Sequence, residues 1–222
     1  MRWRGLVLPL ALVAAALAAC AVRARPPLAW PAPTGKYAVE QARYSLPTPD
    51  GPVRVLGWLP QAAGRPAPLV LYAPGWGNRA DDCAALLGDL ASHGYVVIAF
   101  DDVAHDPARA DEAAGSVAVR TAELSLANPD AFRQSSVLAR QRTTLAVRKG
   151  TMVLDAVLAA PGLAARIDPG RIGFVGYSFG GASGVDQTLA DPRLKAVVNL
   201  DGWLFGKAKE QAVRAPYLLV SL

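Results

Sequence analysis

From Lys36 onward, short apolar runs alternate with longer amphipathic stretches. Tyr37 to Tyr44 and Val53 to Leu59 flank Pro49-Asp50-Gly51, whose residues favour a tight turn, so the two runs read as an antiparallel hairpin. Leu69 to Tyr72 is a continuous apolar run ending in Pro74-Gly75-Trp76-Gly77. A helix from about Asp81 to His93 follows, and Tyr95 to Phe100 is a second apolar run, closed by Asp101 and Asp102. Residues 103 to about 135 are polar, without apolar periodicity, and include Asn128-Pro129-Asp130. A compact domain with so long a stretch lacking clear structure is expected to use it as a lid or a substrate-binding insertion. A long helix is predicted from Val137 to Ala160, with Val147, Met152, Val153, Ala156 and Val157 on one stripe and Pro161-Gly162 ending it. Ile172 to Val175 then reads as a strand, Phe179 to Leu189 as a helix, Ala196 to Leu200 as a strand, and Tyr217 to Leu222 as the start of another. Uninterrupted apolar runs of this length suit strands covered by helices on both faces. The predicted fold class is α/β, with a mostly parallel central sheet.

The start of the chain has a different character. Arg2 and Arg4 precede an uncharged stretch from Gly5 to Ala19, followed by small residues around Cys20. The stretch spans too little of a bilayer core for an ordinary membrane-crossing helix, whereas a basic start and a short apolar core suit an export signal. Leu17-Ala18-Ala19-Cys20 is similar to the lipobox of bacterial lipoproteins. That similarity implies cleavage before Cys20, diacylation of its thiol, and a lipid-anchored place in a bacterial cell envelope. Cleavage near Ala24, giving a periplasmic or secreted protein, is the alternative, and an uncleaved anchor is a third. Pro26, Pro27, Pro31 and Pro33 among Ala and Arg favour an extended, semi-rigid tether. The expected organisation is therefore a signal at 1–19, a tether at 20–35 and an α/β domain at 36–222.

Composition narrows the function classes. Of 23 basic residues 18 are Arg and 5 are Lys; against 18 acidic residues they leave a net charge of +5 over 222 residues. Removing residues 1–19 takes away two Arg and leaves +3. The Arg residues are scattered without a run of five or six like charges, so no nucleic-acid partner is expected. With 52% apolar and 18% charged residues the chain can bury a sizeable core. Two Cys cannot build a disulfide framework, and two His leave little for a His-rich metal site, so no metal is expected. Cys83 reads as a small, half-buried hydrophobe early in a helix. No protein partner is predicted.

The chemistry concentrates in one motif. Gly176-Tyr177-Ser178-Phe179-Gly180-Gly181 is a G-x-S-x-G sequence that follows an apolar run and opens a helix. A nucleophile elbow requires that strand-turn-helix setting: Gly176 and Gly180 permit close approach of strand and helix in a turn that exposes a strained Ser178. An ordinary Gly-rich or phosphate-binding turn at a helix N-terminus is the competing reading. A serine hydroxyl needs a His to take its proton and a carboxylate to orient that His. Asp201, just after the strand Ala196 to Leu200, ends on the same sheet edge as the elbow and is the candidate acid; a solvated Asp capping a turn before Gly202 is its alternative. The oxyanion hole is expected from the backbone N–H of Phe179 and from the loop after the first parallel strand, where Trp76 is the candidate.

These residues carry a resemblance. Gly176 to Ala182, followed by Leu200-Asp201-Gly202-Trp203-Leu204-Phe205, is similar to the platelet-activating factor acetylhydrolase family of α/β hydrolases, relatives of dienelactone hydrolase, whose corresponding motifs read G-H-S-F-G-G-A and L-D-A-W-M-F. Ala73 to Gly77, with Leu90-Ala91-Ser92-His93-Gly94-Tyr95-Val96-Val97, resembles that family's oxyanion loop, helix and next strand, so the similarity extends over about residues 38 to 222. It implies an α/β-hydrolase fold, Ser178 as nucleophile and Asp201 as triad acid. It also implies a calcium-independent, cofactor-free serine esterase active on short or oxidised acyl chains of phospholipids, or on related small esters, in lipid degradation. Tyr177 stands where the family commonly has His, and Asp101-Asp102 departs from its acidic-basic sequence. Those differences bear on the phospholipid substrate more than on acyl transfer.

No histidine follows Ser178. In α/β hydrolases the order is Ser, acid, His, so the base is expected beyond Leu222, and the domain reads as C-terminally incomplete: either a truncated record of a longer enzyme or a product lacking its base and last strand. His93 ends a helix and lies on the wrong sheet edge. His105 is on the correct edge but inside the polar insertion, a poor substitute. Three functional readings follow: the phospholipid-type esterase; a broader carboxylesterase, polyester or dienelactone-type hydrolase; and a non-catalytic lipoprotein that keeps the fold as a binding module.

Overall fold

The computed structural model describes residues 31–61, 66–105 and 123–221. Contacts divide the chain into two units, Met1–Pro31 and Ala32–Leu222. The predicted signal and Cys20 lie outside the described residues. Among the described residues no helix is long and apolar enough to cross a membrane.

The second unit is built on seven strands. Chain order gives β1 (Val39–Leu46), β2 (Val53–Pro60), β3 (Ala67–Ala73), α1 (Ala84–Ser92), β4 (Val96–Phe100), a 3₁₀ turn (Val103–His105), α2 (Pro129–Ala159), α3 (Pro161–Ala164), β5 (Ile167–Tyr177), α4 (Phe179–Ala190), β6 (Leu194–Leu200), a 3₁₀ turn (Lys207–Lys209) and β7 (Tyr217–Val220). The order across the sheet is β1-β2-β4-β3-β5-β6-β7. β1 with β2 and β2 with β4 pair antiparallel, and the remaining pairs are parallel. The predicted hairpin and mostly parallel sheet are both present.

Each face of the sheet has its own core. On one, Leu69, Leu71, Ile98, Ile172 and Phe174 pack against Val153, Leu154 and Val157 of α2 and Val185 of α4. On the other, Trp58, Val70, Tyr72, Val97 and Ala99 pack against Leu87 and Ala91 of α1. Burial on both faces is why β3 and β4 read as continuous apolar runs, each fully buried Leu or Ile contributing about 1.5–3 kcal/mol. Because β3, β5 and β6 run parallel, their C-terminal ends bring residues 74–77, 178 and 201 to one edge of the sheet.

Several boundaries differ from the sequence reading. The long helix begins at Pro129, eight residues before Val137, and Asn128 caps it by accepting from the N–H groups of Asp130 (3.1 Å) and Ala131 (2.9 Å). Its first turns are largely solvated and Val137 itself is 59% exposed, so no apolar stripe marks them. Asn128-Pro129-Asp130 is thus a helix start, and the polar insertion is correspondingly shorter. β5 runs from Ile167, five residues earlier than expected. Asp168 folds back onto the Gly170 N–H (2.9 Å) and Arg171 (2.6 Å), and the register shifts across this polar corner. At the other terminus of the unit, Thr34 donates its N–H to Asp89 (2.6 Å) and Gly35 donates to Ser92 Oγ (2.8 Å), tying the chain before β1 to the end of α1.

Phe174 is the aromatic centre of the larger core, 2% exposed, edge-on to Phe100 at 6.4 Å. A Cβ added to Gly184 would stand 2.3 Å from its ring, so α4 lies directly on it. Phe174→Ala is expected to cost about 3–5 kcal/mol in urea unfolding, the usual range for a buried Phe; a loss below about 1 kcal/mol would contradict this packing.

Candidate active site

Ser178 sits between β5 and α4 at φ 50, ψ −120, one of two described non-glycine residues at positive φ. A serine in that region is strained by roughly 1–3 kcal/mol and needs its surroundings to hold it. They do so through backbone. The Ser178 N–H donates to Leu200 O (2.7 Å), and Ser178 O accepts from the Ala182 N–H (3.0 Å). A Cβ on Gly176 would meet Gly180 C at 2.3 Å, and one on Gly180 would meet Ala73 O at 2.2 Å and Pro74 O at 2.3 Å. Backbone cannot yield as a flexible side chain can, so both positions require glycine. The G-x-S-x-G spacing therefore has the structural context of an elbow.

The second positive-φ residue is Asp201, at φ 58. Its turn is held by Asn199, a fully buried side chain next to the end of β6, after the apolar residues Ala196 to Val198. Asn199 Oδ1 accepts from the Gly202 N–H (2.8 Å), and its Nδ2 donates to Gly202 O (2.9 Å) and Tyr217 Oη (3.2 Å). Asp201 donates its own N–H to Val220 O (2.7 Å). A Cβ on Gly202 would stand 2.2 Å from Ser178 O, so the turns carrying Ser178 and Asp201 touch through their backbones.

The loop after β3 completes the cluster. A Cβ on Gly75 would lie 3.5 Å from Ser178 Cβ, which puts this loop beside the serine. The Trp76 and Phe179 rings meet edge-on at 4.8 Å, so the two predicted oxyanion donors belong to residues in mutual contact. Beneath them lies Arg142 of α2, completely buried, its guanidinium 4.4 Å from the Trp76 ring centre and 5.5 Å from that of Phe179. Arg142 is paired with Asp102, itself buried, which also accepts from the Gly77 N–H (2.8 Å). Burial pushes the Arg142 guanidinium down from its ordinary value, and the Asp102 carboxylate opposes that fall. Lys149, also buried, donates to Asp102 O at 3.4 Å.

The two histidines are occupied elsewhere. His105 Nε2 lies 2.6 Å from Gly77 O; a carbonyl only accepts, so Nε2 carries the proton in this contact. His93 caps α1 at the opposite sheet edge, where its Nε2 is 3.0 Å from Thr34 Oγ1. Cys83 is half-buried at the N-cap of α1. Tyr177, next to the serine in the chain, is 40% exposed, and Trp203, next to Gly202, is 58% exposed and meets Phe132 of α2 edge-on at 6.1 Å. Asp186, on α4, accepts from the Ala208 N–H (3.1 Å) and so seats the chain that follows the Asp201 turn; burial pushes its carboxyl above the usual range.

Asn199, Arg142 and Asp102 were not among the expected site residues. A lone Asn inside an apolar strand was a legible signal for the first. The Arg142 pair had no short-range signature, since 40 residues separate its members.

Known proteins give the same picture at the level of family and fold. The family described as platelet-activating factor acetylhydrolase, isoform II, matches residues 59–222. A platelet-activating factor acetylhydrolase from Bos taurus is 30% identical over 69% of this chain and 39% of its own length. A protein of Arthroderma benhamiae, named a probable 1-alkyl-2-acetylglycerophosphocholine esterase, is 26% identical over 64% of this chain and 33% of its own length. The chain thus spans well under half the length of either relative. Among solved structures, a ferulic acid esterase from Streptomyces cinnamoneus superposes with a TM-score of 0.63 at 23% identity, covering 86% of this chain and 67% of that one. The fold is the α/β-hydrolase fold, and with nearly three-quarters of its residues matched, the chain belongs to the platelet-activating factor acetylhydrolase, isoform II, family.

Proposed function

We propose that this chain carries the acyl-transfer machinery of a serine ester hydrolase. The observation that carries this reading is Ser178, strained at the strand-to-helix turn and flanked by the 74–77 loop and the Asp201 turn. In the proposed reaction Ser178 Oγ attacks the ester carbonyl and gives up its proton to an imidazole oriented by Asp201. The N–H groups of Trp76 and Phe179 hold the oxyanion. Collapse expels the alcohol, which takes that proton, and leaves an acyl-Ser178; water, deprotonated by the same imidazole, then releases the acid. In the triad order the imidazole follows the acid, and residues 202–222 contain no histidine.

Hydrolysis of p-nitrophenyl acetate by these 222 residues is therefore expected to fall orders of magnitude below that of an ordinary esterase, and to change less than about threefold on His105→Ala. A fluorophosphonate should label Ser178 slowly but to completion, and Ser178→Ala should remain unlabelled. Ordinary turnover lost on His105→Ala would overturn the assignment of the base. A folded protein that Ser178 chemistry never labels would favour the binding-module reading.

For substrate, we favour short acyl esters, glycerophospholipids included. The names of the two curated relatives support this, as do the exposed aromatic side chains of Tyr177 and Trp203, which adjoin Ser178 and Gly202 in the chain. A broader carboxylesterase, polyester or dienelactone-type activity is the second reading, favoured by Tyr177 where the family commonly has His. Rates across p-nitrophenyl esters of two to twelve carbons and an acetylated glycerophosphocholine should separate the two. A peak at acetyl with the phospholipid turned over supports the first, and indifference to the head group supports the second.

The proposal extends to location: export through residues 1–19 and anchoring in a bacterial cell envelope through diacylated Cys20, with a periplasmic or secreted form as the alternative. Expressed with its leader in a bacterium, the protein should partition into the detergent phase of a Triton X-114 extraction, and Cys20→Ala should move it to the aqueous phase. Equal partitioning of both forms would exclude the anchor.

A further inference from the structure

We propose that Arg142, paired with Asp102, is a positioning residue for the oxyanion hole. The inference rests on the serine-hydrolase reading above and concerns what aims Trp76 and Phe179. Three observations concern these two residues and the loop that carries Trp76. The guanidinium lies 4.4 Å from the Trp76 ring centre and 5.5 Å from that of Phe179, so one planar cation contacts the side chains of both proposed donors. Its partner Asp102 accepts the Gly77 N–H at 2.8 Å, gripping the residue next to Trp76. His105 holds the carbonyl of the same Gly77 at 2.6 Å, and the Asp102 N–H donates to Asn78 O at 3.2 Å.

These holds act on a loop with few side chains of its own. Gly75 and Gly77 lack side chains, Gly77 is at φ 71, and Asn78 closes the turn on Gly75 O at 3.0 Å. An oxyanion hole works because its donors do not reorganise as charge develops. A fully buried ion pair seldom adds net stability, since removing two charges from water offsets their attraction. Its contact with the rings of both residues points instead to geometry. Arg suits this better than Lys: a guanidinium presents a flat face to aromatic rings while its edge pairs with a carboxylate.

Removing Arg142 alone would leave the buried Asp102 carboxylate without its guanidinium partner and risk unfolding. The test therefore uses the double variant Arg142→Met with Asp102→Asn, which removes both charges and keeps a carbonyl for the Gly77 N–H, and the single variant Arg142→Lys. Leu154→Ala, a buried truncation elsewhere in α2, serves as a control for stability alone. Ser178 labelling by a fluorophosphonate and p-nitrophenyl acetate kinetics are measured well below each Tm. The double variant should label about 10- to 100-fold more slowly, with kcat reduced and KM within about threefold of wild type, since losing a whole oxyanion donor costs about 10²–10³. Arg142→Lys should fall between, and Leu154→Ala should lower Tm while labelling at the wild-type rate. Wild-type labelling by a folded double variant, or slowing in Leu154→Ala that matches it, overturns the positioning role. Wild type that never labels at Ser178 overturns the serine-hydrolase reading beneath it, and this inference with it.

Discussion

The contact on which the site depends is backbone against backbone. Gly180, in the first turn of α4, lies so close to the carbonyls of Ala73 and Pro74 that no side chain fits between them. That approach brings the end of β3 to the start of α4, and so brings the loop carrying Trp76 to the residue after Ser178. Gly176 allows the turn to close on itself, and Gly202 repeats the device one strand further along, where the Asp201 turn rests on Ser178 O. Three strand ends are registered by contacts that only glycine allows, which is a harder constraint than side-chain packing, because backbone atoms have no alternative rotamers to offer.

Polar groups brought to this edge are paired with notable economy. Asn199 directs its amide to the N–H and the carbonyl of Gly202 and to Tyr217, so one buried polar residue joins β6, its following turn and β7. Asp102 joins β4's exit to the 74–78 loop and to α2. At the far end of α4, Arg193 bridges Asp191 (2.6 Å) and Asp155 of α2 (2.7 Å), and the guanidinium holds the Asp191 carboxyl below the usual carboxylate range. The edges of the sheet are thus stitched by side chains that reach across elements, while its middle is apolar.

What the sequence revealed follows from the range of the forces involved. β3 and β4 were legible because burial on both faces leaves uninterrupted apolar runs, β6 by the shorter apolar run Ala196 to Val198, and the G-x-S-x-G turn because its glycines are a local requirement of one turn. The first turns of α2 were missed because they are largely solvated: Asn128 and Pro129 are strong start signals, but Ala139 is the first fully buried apolar residue after them. The early residues of β5 were hidden by Asp168, Pro169 and Gly170, which read as a turn and instead form a bulged corner of the strand. Ser178 and Asp201 were singled out from motifs. Arg142 and Asp102 could not be, since a charge pair joined only by tertiary contact has no spacing to detect.

Ser178 and Asp201 are the described non-glycine residues with left-handed φ, and they belong to turns in mutual contact. For Asp201 this separates two properties that mutagenesis usually confounds. Asn tolerates that conformation nearly as well as Asp, whereas a residue with a plain Cβ does not. Replacing Asp201 by Asn thus removes the charge and keeps the turn, while Ala removes the charge and strains the backbone that supports Ser178 O. A comparison of the two substitutions would report how much of the residue's importance is electrostatic and how much is architectural.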